Sequence, residues 1–269
     1  LTLDPRNLLI LQQISLSYEK LRRYAEMAAM LDRALAIKPD DVVSEVARGL
    51  VDLEWKADTR RLHQTIDSVR KSNSEALPEV ADNWFYCAVA ERDPASAEAA
   101  LIALGDGYFG TDAPLFHRTF GEGLIARMTN DKDKARTAFI AARVEQEKVI
   151  QAEPDYGPAL CVLAMIDAGL GRKEEALREG RRALELTPVA KDALHGPNVI
   201  GGFAVIAAWI GEKDLACEQL ETAIRLRSYG LTSYGQLKLN PFWDPLRGNP
   251  RFEKLVASLA PKDNSLQAK

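Results

Sequence analysis

A spacing of 34 residues between prolines constrains this chain more than any other feature. Pro5 and Pro39 stand that far apart, and so do Pro154 and Pro188. Upstream of Pro39 lies "YAEMAAMLDRALAIKP", and upstream of Pro188 lies "RKEEALREGRRALELTP". Both segments carry apolar residues at intervals of three and four, the spacing of one helical face. Runs alternating apolar and polar residues are nearly absent, so strands are not expected. A fixed period of this length points to stacked helical units, each too small to bury its apolar face alone.

The slots within the period repeat more strictly than the sequence as a whole. Ahead of each Pro come Met27, Leu31 and Ala34 in one copy and Ala176, Gly180 and Ala183 in the other. A third copy, "GEKDLACEQLETAIRL", offers Ala216, Leu220 and Ala223, and a fourth, "DKARTAFIAAR", offers Ala135, Phe139 and Ala142. The preceding helix has its own pattern: Leu11, Ile14, Ser15 and Tyr18, then Leu160, Leu163 and Ala164, then Ile200, Phe203 and Ala204. A small residue on one helix admits a bulky residue of its neighbour, so two antiparallel helices nest closely. The Pro then prevents the second helix from continuing.

These residues resemble the tetratricopeptide repeat (TPR), whose period is 34. The resemblance is strongest at Leu8–Pro39, Gly157–Pro188 and roughly Pro197–Ser228. It is weaker near Ser44–Ser72, with the large slot residues Leu62, Ile66 and Val69, and near Glu79–Leu104, with Ala97, Leu101 and Leu104. In the copy containing Ala135 the second helix is expected to run two turns longer, through "VEQEKVI", before Pro154. The resemblance implies an all-α, right-handed solenoid of about six helical pairs with a C-terminal capping helix, residues 1–269 forming one domain. "LTLDP" matches "LAIKP" and "LELTP", so residues 1–7 are expected to be the end of a truncated repeat and the chain a fragment of a longer protein.

A second resemblance lies in the tail. "LTSYGQLKLNPFWDPLRGNPRFEKLVASL" is similar to the segment closing the TPR regions of certain large bacterial regulators, where the array follows a serine/threonine kinase, a winged-helix domain or a nucleotide cyclase. Asn240-Pro241, "WDPLR" (Trp243 to Arg247), Asn249-Pro250, Phe252 and Leu255 carry it. Residues 229–260 are therefore expected to cap the last pair, with Phe242, Trp243, Leu246, Phe252, Leu255 and Leu259 covering its exposed end. The resemblance implies a bacterial regulatory protein, cytoplasmic or periplasmic according to its upstream part, and an intramolecular contact with an upstream effector domain.

Composition and motifs narrow the function further. Lys and Arg number 35 against 39 Asp and Glu, for a net charge of −4, so there is no basic footprint for nucleic acid. The longest uncharged apolar run, Val199 to Gly211, is shorter than the ~20 residues of a membrane helix. Cys87, Cys161 and Cys217 stand singly, without disulfide or zinc spacing. "GDGYFG" (Gly105 to Gly110) satisfies G-x-G-x-x-G, yet a helix precedes it where a phosphate loop needs a strand. It reads as a helix-terminating loop. His63, His117 and His195 lie far apart without metal-ligand spacing. No nucleophile elbow or P-loop occurs. No enzyme, cofactor or metal site is expected.

In TPR arrays the first helices line a concave face. Carried onto this chain, the positions pointing into it are Gln12, Leu16, Tyr86, Phe120, Leu124, Cys161, Met165 and Val205, with Glu19, Trp55, Arg127 and Trp209 on neighbouring turns. These residues form either a partly apolar groove for a partner peptide or helix, or the filled interior of a tight superhelix. Gln12 and Leu16 replace the Lys and Asn of a chaperone-type carboxylate clamp, which is not expected here. The function expected is a protein–protein interaction scaffold or regulatory sensing module. The alternative is a small-molecule sensor with its ligand in the concave pocket.

Overall fold

The computed structural model describes residues 6–110, 114–227 and 229–261. Pro5, the rest of the 1–5 stretch and Ser228 lie outside the described residues, so the truncated-repeat expectation for residues 1–7 rests there on sequence alone. Twelve helices form six consecutive antiparallel pairs: α1 (Leu8–Lys20) with α2 (Tyr24–Ile37), α3 (Val42–Lys56) with α4 (Arg60–Ser72), α5 (Leu77–Ala90) with α6 (Pro94–Leu104), α7 (Arg118–Met128) with α8 (Lys132–Ala152), α9 (Gly157–Gly169) with α10 (Lys173–Leu186), and α11 (Gly196–Trp209) with α12 (Lys213–Arg225). Each pair also packs on the next, which gives an all-α, TPR-like solenoid. A short helix α13 (Tyr234–Leu239), a 3-10 turn (Pro241–Leu246) and α14 (Pro250–Ser258) follow.

Local chemistry starts and stops these helices. Asn7, Asp41, Asp93 and Asp131 each accept a hydrogen bond from a backbone N–H of the first turn, at α1, α3, α6 and α8. Prolines occupy the first turn of α5, α6, α9, α11 and α14, where no helical N–H is lost. The turn inside every pair contains one residue with positive φ: Arg22, Ala57, Arg92, Asn130, Gly171 and Gly211. In five of the six, the next amide donates to a carbonyl five residues back, as Arg23 does to Tyr18 and Glu212 to Ala207. Only two of these residues are Gly, and a left-handed L-residue costs roughly 1–2 kcal/mol. The turn thus recurs because the pair geometry demands it, even in the second and third pairs where the sequence pattern fades.

The slots read from the sequence are the packing contacts. Met27, Leu31, Ala34, Leu62, Ile66, Val69, Ala97, Leu101, Phe139, Ala142, Ala176, Ala183, Ala216, Leu220 and Ala223 are all buried. α8 extends to 21 residues, as the run through "VEQEKVI" implies. Phe139 on α8 explains two glycines of neighbouring first helices: a Cβ on Gly123 or Gly169 would come within 2.7 and 2.9 Å of its ring.

The structure corrects the sequence reading in the segment after α6. Tyr108–Gly110 (β1) and Leu115–His117 (β2) form a two-stranded antiparallel ribbon, Phe109 facing Phe116, where a loop is expected. The strand in "GDGYFG" comes inside the motif and a helix still precedes it, so the phosphate-loop requirement is not met.

Candidate functional site

The face formed by the first helices is where a TPR array holds a partner, and here the chain's own residues cover most of it. The ribbon inserts Phe109 and Phe116 between α5, α7 and α9. Ring contacts then run from Phe85 to Phe109 (4.6 Å), Phe109 to Phe116 (5.3 Å) and Phe116 to Phe120 (4.5 Å). Phe120 stacks on Trp209 at 6.2 Å with the planes 7° apart. Phe242 completes the cluster, standing edge-on to Trp209 (5.6 Å), Phe120 (6.1 Å) and Phe116 (6.3 Å). Its carbonyl accepts the Trp209 indole N–H at 2.9 Å, so the tail is held by a directional bond as well as by apolar contact.

From there the tail reaches back across the array. Trp243, fully buried, donates its indole N–H to the Leu231 carbonyl at 3.0 Å. α13 packs on α3 and α5, with Gly235 so close to α3 that an added Cβ would stand 1.8 Å from the Leu53 carbonyl oxygen. Gln236 donates to Glu54 Oε1 at 2.6 Å, and Asn240 donates to Gln236 Oε1 at 2.8 Å. Ser233 hydrogen-bonds Glu54 too, yet burial still pushes the Glu54 carboxyl up to about 7. Arg22, in the turn of the first pair, donates to the Thr232 carbonyl at 2.9 Å. Arg92 grips Asp244 through two bonds of 2.7 Å. At the far end α14 lies against α12, with Arg251 bonded to Glu221 at 3.0 Å. The expectation that Phe242 and Trp243 cover the outer end of the last pair is therefore corrected: α14 lies at that end, while residues 231–246 fill the inner face. Phe242 goes inward, where the rings of Phe120 and Trp209 and the Trp209 indole N–H meet it.

This placement sorts the predicted groove residues. Phe120, Leu124, Cys161, Met165 and Val205 are buried, at 2% exposure or less, so they belong to the filled interior. Tyr86 and Trp209 are half-buried beneath the ribbon and the tail. Arg127 lies 4.1 Å over the Trp209 ring, and its partial burial pushes its pKa down. Gln12 faces the next pair, donating to Asp41 Oδ2 (2.9 Å) and Ser44 Oγ (3.1 Å). The N-terminal end is more open. Leu16 is 42% exposed, with Leu9 at 64% one face along. Glu19 is half-buried nearby. Trp55 stacks on Tyr24 at 6.4 Å, and Tyr18 packs beside them. Arg23 lies over Tyr18 and Lys56 over Trp55, at 4.9 and 5.2 Å.

Two further polar clusters were not visible in the sequence, because their members come from different helices. Buried Asp167 on α9 takes Arg143 (2.9 Å) and Arg172 (3.2 Å) on one oxygen. Its other oxygen, Oδ2, and Glu179 Oε2 are buried without a hydrogen-bond donor among the described residues. Burial and the Asp167 charge push the Glu179 carboxyl up to about 7. The second cluster joins His63 of α4 to Cys87 of α5 and to Glu91, which caps that helix. All three cysteines are free and buried. No helix among the described residues is long and apolar enough to cross a membrane.

Comparison with protein families agrees with the pairing of α1 and α2. The tetratricopeptide repeat family model matches residues 9–41, which are α1, α2 and the turn that follows. No curated protein matches the chain. Among solved structures, the chain is similar to the crystal structure of PilW, a widely conserved type IV pilus biogenesis factor, at 16% identity and a TM-score of 0.49, over 80% of this chain and 91% of that one. The fold assignment rests on the six helix pairs themselves and on their shared turn. Residues 9–41 match the tetratricopeptide repeat, and they open a TPR-like α-solenoid of six helix pairs whose inner face is lined with its own tail.

Proposed function

We propose that this chain is a non-catalytic protein–protein interaction scaffold whose partner is held at the N-terminal end of the first-helix face. One observation carries this reading. From α3 to α11 that face is covered by residues 231–246 and the ribbon, whereas Leu9, Leu16, Tyr18, Tyr24 and Trp55 stay wholly or partly uncovered. Aromatic residues flanked by Arg and Lys are the side chains most often found as interface anchors, and tetratricopeptide repeats bind protein partners. The rival small-molecule reading needs an open concave pocket, and Phe242 and Trp243 occupy that space. The resemblance of the closing segment to bacterial regulators supports a setting in which a partner, or an effector domain of the same protein, docks on this open end.

The binding surface is checked by comparing what the wild type and a Tyr18→Ala/Trp55→Ala variant retain from lysate of the source cells. A protein held by the wild type should bind the variant at least 30-fold more weakly, since two anchors at ~2 kcal/mol or less each suffice for that loss. A partner that binds both equally, but is lost on changing Glu and Lys residues of the second helices, would place the interface on the outer face instead.

A further inference from the structure

On the outer side of the second and third pairs, α4, α5 and α6 enclose a cavity of about 360 Å3. Three side chains of different chemistry converge on its wall. His63 comes from α4, Cys87 from the last turn of α5 and Glu91 from the residue that caps α5; their donor atoms all lie within 4.8 Å of one another. His63 Nδ1 is 2.8 Å from Glu91 Oε2, and the Cys87 thiol hydrogen-bonds the same carboxylate.

A reactive thiol does not explain the group. Burial, then the Glu91 charge, pushes the Cys87 thiol up, opposite to what an attacking thiolate needs. A His–Glu ion pair does not explain it either, because such a pair at a half-exposed histidine contributes little and has no need of a thiol.

We propose that His63, Cys87 and Glu91 form a zinc site, with Asp67 positioning the imidazole from behind. Thiolate, imidazole and carboxylate are the three donors zinc takes from proteins. Donors at zinc's bond lengths of 2.0–2.3 Å stand roughly 3.5 Å apart in a tetrahedron. The Glu91–His63 separation has to open slightly and the other separations to close. The half-exposed His63 and the 24%-exposed Glu91 side chain do this by rotation, while Cys87 stays anchored in the core. Asp67 lies one turn along α4 with Oδ2 3.7 Å from His63 Nε2, so a small rotation of the imidazole on metal binding would bring it into the carboxylate-behind-imidazole hydrogen bond that fixes a ligand's tautomer. Arg70 and Lys71 pair with Asp67, and the Arg70 guanidinium lies over Trp84, so the nearby positive charge is engaged outside the donor triangle. Asp93 adds a further negative charge toward His63. Three protein donors leave a fourth position facing the cavity, open to water or to a small anionic ligand. Zinc displaces the thiol proton as the Cys87–metal bond forms, and any proton on the imidazole, so binding releases protons and tightens as pH rises.

Cobalt(II), which takes the same donors as zinc but absorbs light, tests this directly. Titrated into the chelator-treated full chain, it should bind once per chain and give a near-ultraviolet thiolate-to-metal charge-transfer band, which one equivalent of zinc then abolishes. Cys87→Ser should remove the band. His63→Ala, a change at a half-exposed position that leaves the core intact, should weaken zinc at least 10-fold, and Asp67→Asn should weaken it by a smaller factor. A titration without the band overturns the proposal. So does zinc binding that is unchanged in His63→Ala, since the ion would then sit on unrelated surface carboxylates.

Discussion

Gly235→Ala is expected to destabilise this protein by about 3 kcal/mol, the upper end for overpacking. In a helix that touched nothing, the same change would stabilise by roughly 0.5–1 kcal/mol, because Ala loses less backbone freedom than Gly on folding. The sign reverses here because the new Cβ would stand 1.8 Å from the Leu53 carbonyl oxygen and 2.7 Å from its carbon. Both belong to the backbone of α3, so no rotamer change relieves the contact. α13 must move away, taking with it the Gln236–Glu54 bond and the seat of Trp243. Urea unfolding of the two proteins measures the difference. An unchanged or raised midpoint would mean that α13 does not rest on α3.

The second large effect is on pH. Glu54 is buried and Glu179 partly buried, and both carboxyls are pushed up from 4.5 to about 7, chiefly by burial. A carboxyl whose folded value is raised binds its proton more tightly in the folded chain than in the unfolded one. Its contribution is complete below about 4.5 and is lost as pH rises through about 7. At about 1.4 kcal/mol per pH unit, Glu54 alone removes ~3 kcal/mol between pH 4.5 and 8. The depressed carboxyls act in the opposite sense at lower pH: the Arg60 guanidinium holds Asp58 at about 2, so that pair is lost only in stronger acid. The melting temperature should therefore fall between pH 5 and 8. Glu54→Gln, which keeps an acceptor for Gln236 without a charge, should flatten most of that slope, and Glu179→Gln part of the remainder. A wild-type melting temperature that rises over this interval would contradict the burial of these two groups.

What the sequence shows of this molecule and what it hides divide along sequence separation. Ala176, Gly180 and Ala183 repeat Met27, Leu31 and Ala34 because each set meets the same neighbour within one period, and such contacts leave a periodic trace. The long α8 is legible for the same reason, its apolar spacing continuing to Ile150. The ribbon is not, since strands of three residues have no period to read. Phe242 and Trp243 announce themselves as buried, but nothing local says whether they cover the end of α12 or turn inward to Phe120. That choice is made by contacts such as Gln236 with Glu54 and Thr232 with Arg22, 182 and 210 residues apart in sequence. The sequence assigns Leu124, Met165 and Val205 to a concave face, and nothing in it shows that the tail covers them. His63 and Cys87 escape notice because the helices α4 and α5, not a motif, bring them together.

Hydrogen exchange of the native chain measures most directly where residues 231–246 lie. α13 has six residues, far short of the ~12–15 an isolated helix needs to persist in water. Protection of its amides must therefore come from docking onto the array. The amides of Leu237, Asn240 and Trp243, bonded to Ser233, Gln236 and Asn240 carbonyls, are predicted to exchange as slowly as those of α11. Exchange of these three amides at the rate of an unstructured tail, with α11 still protected, would show that the inner face is open and the central claim wrong.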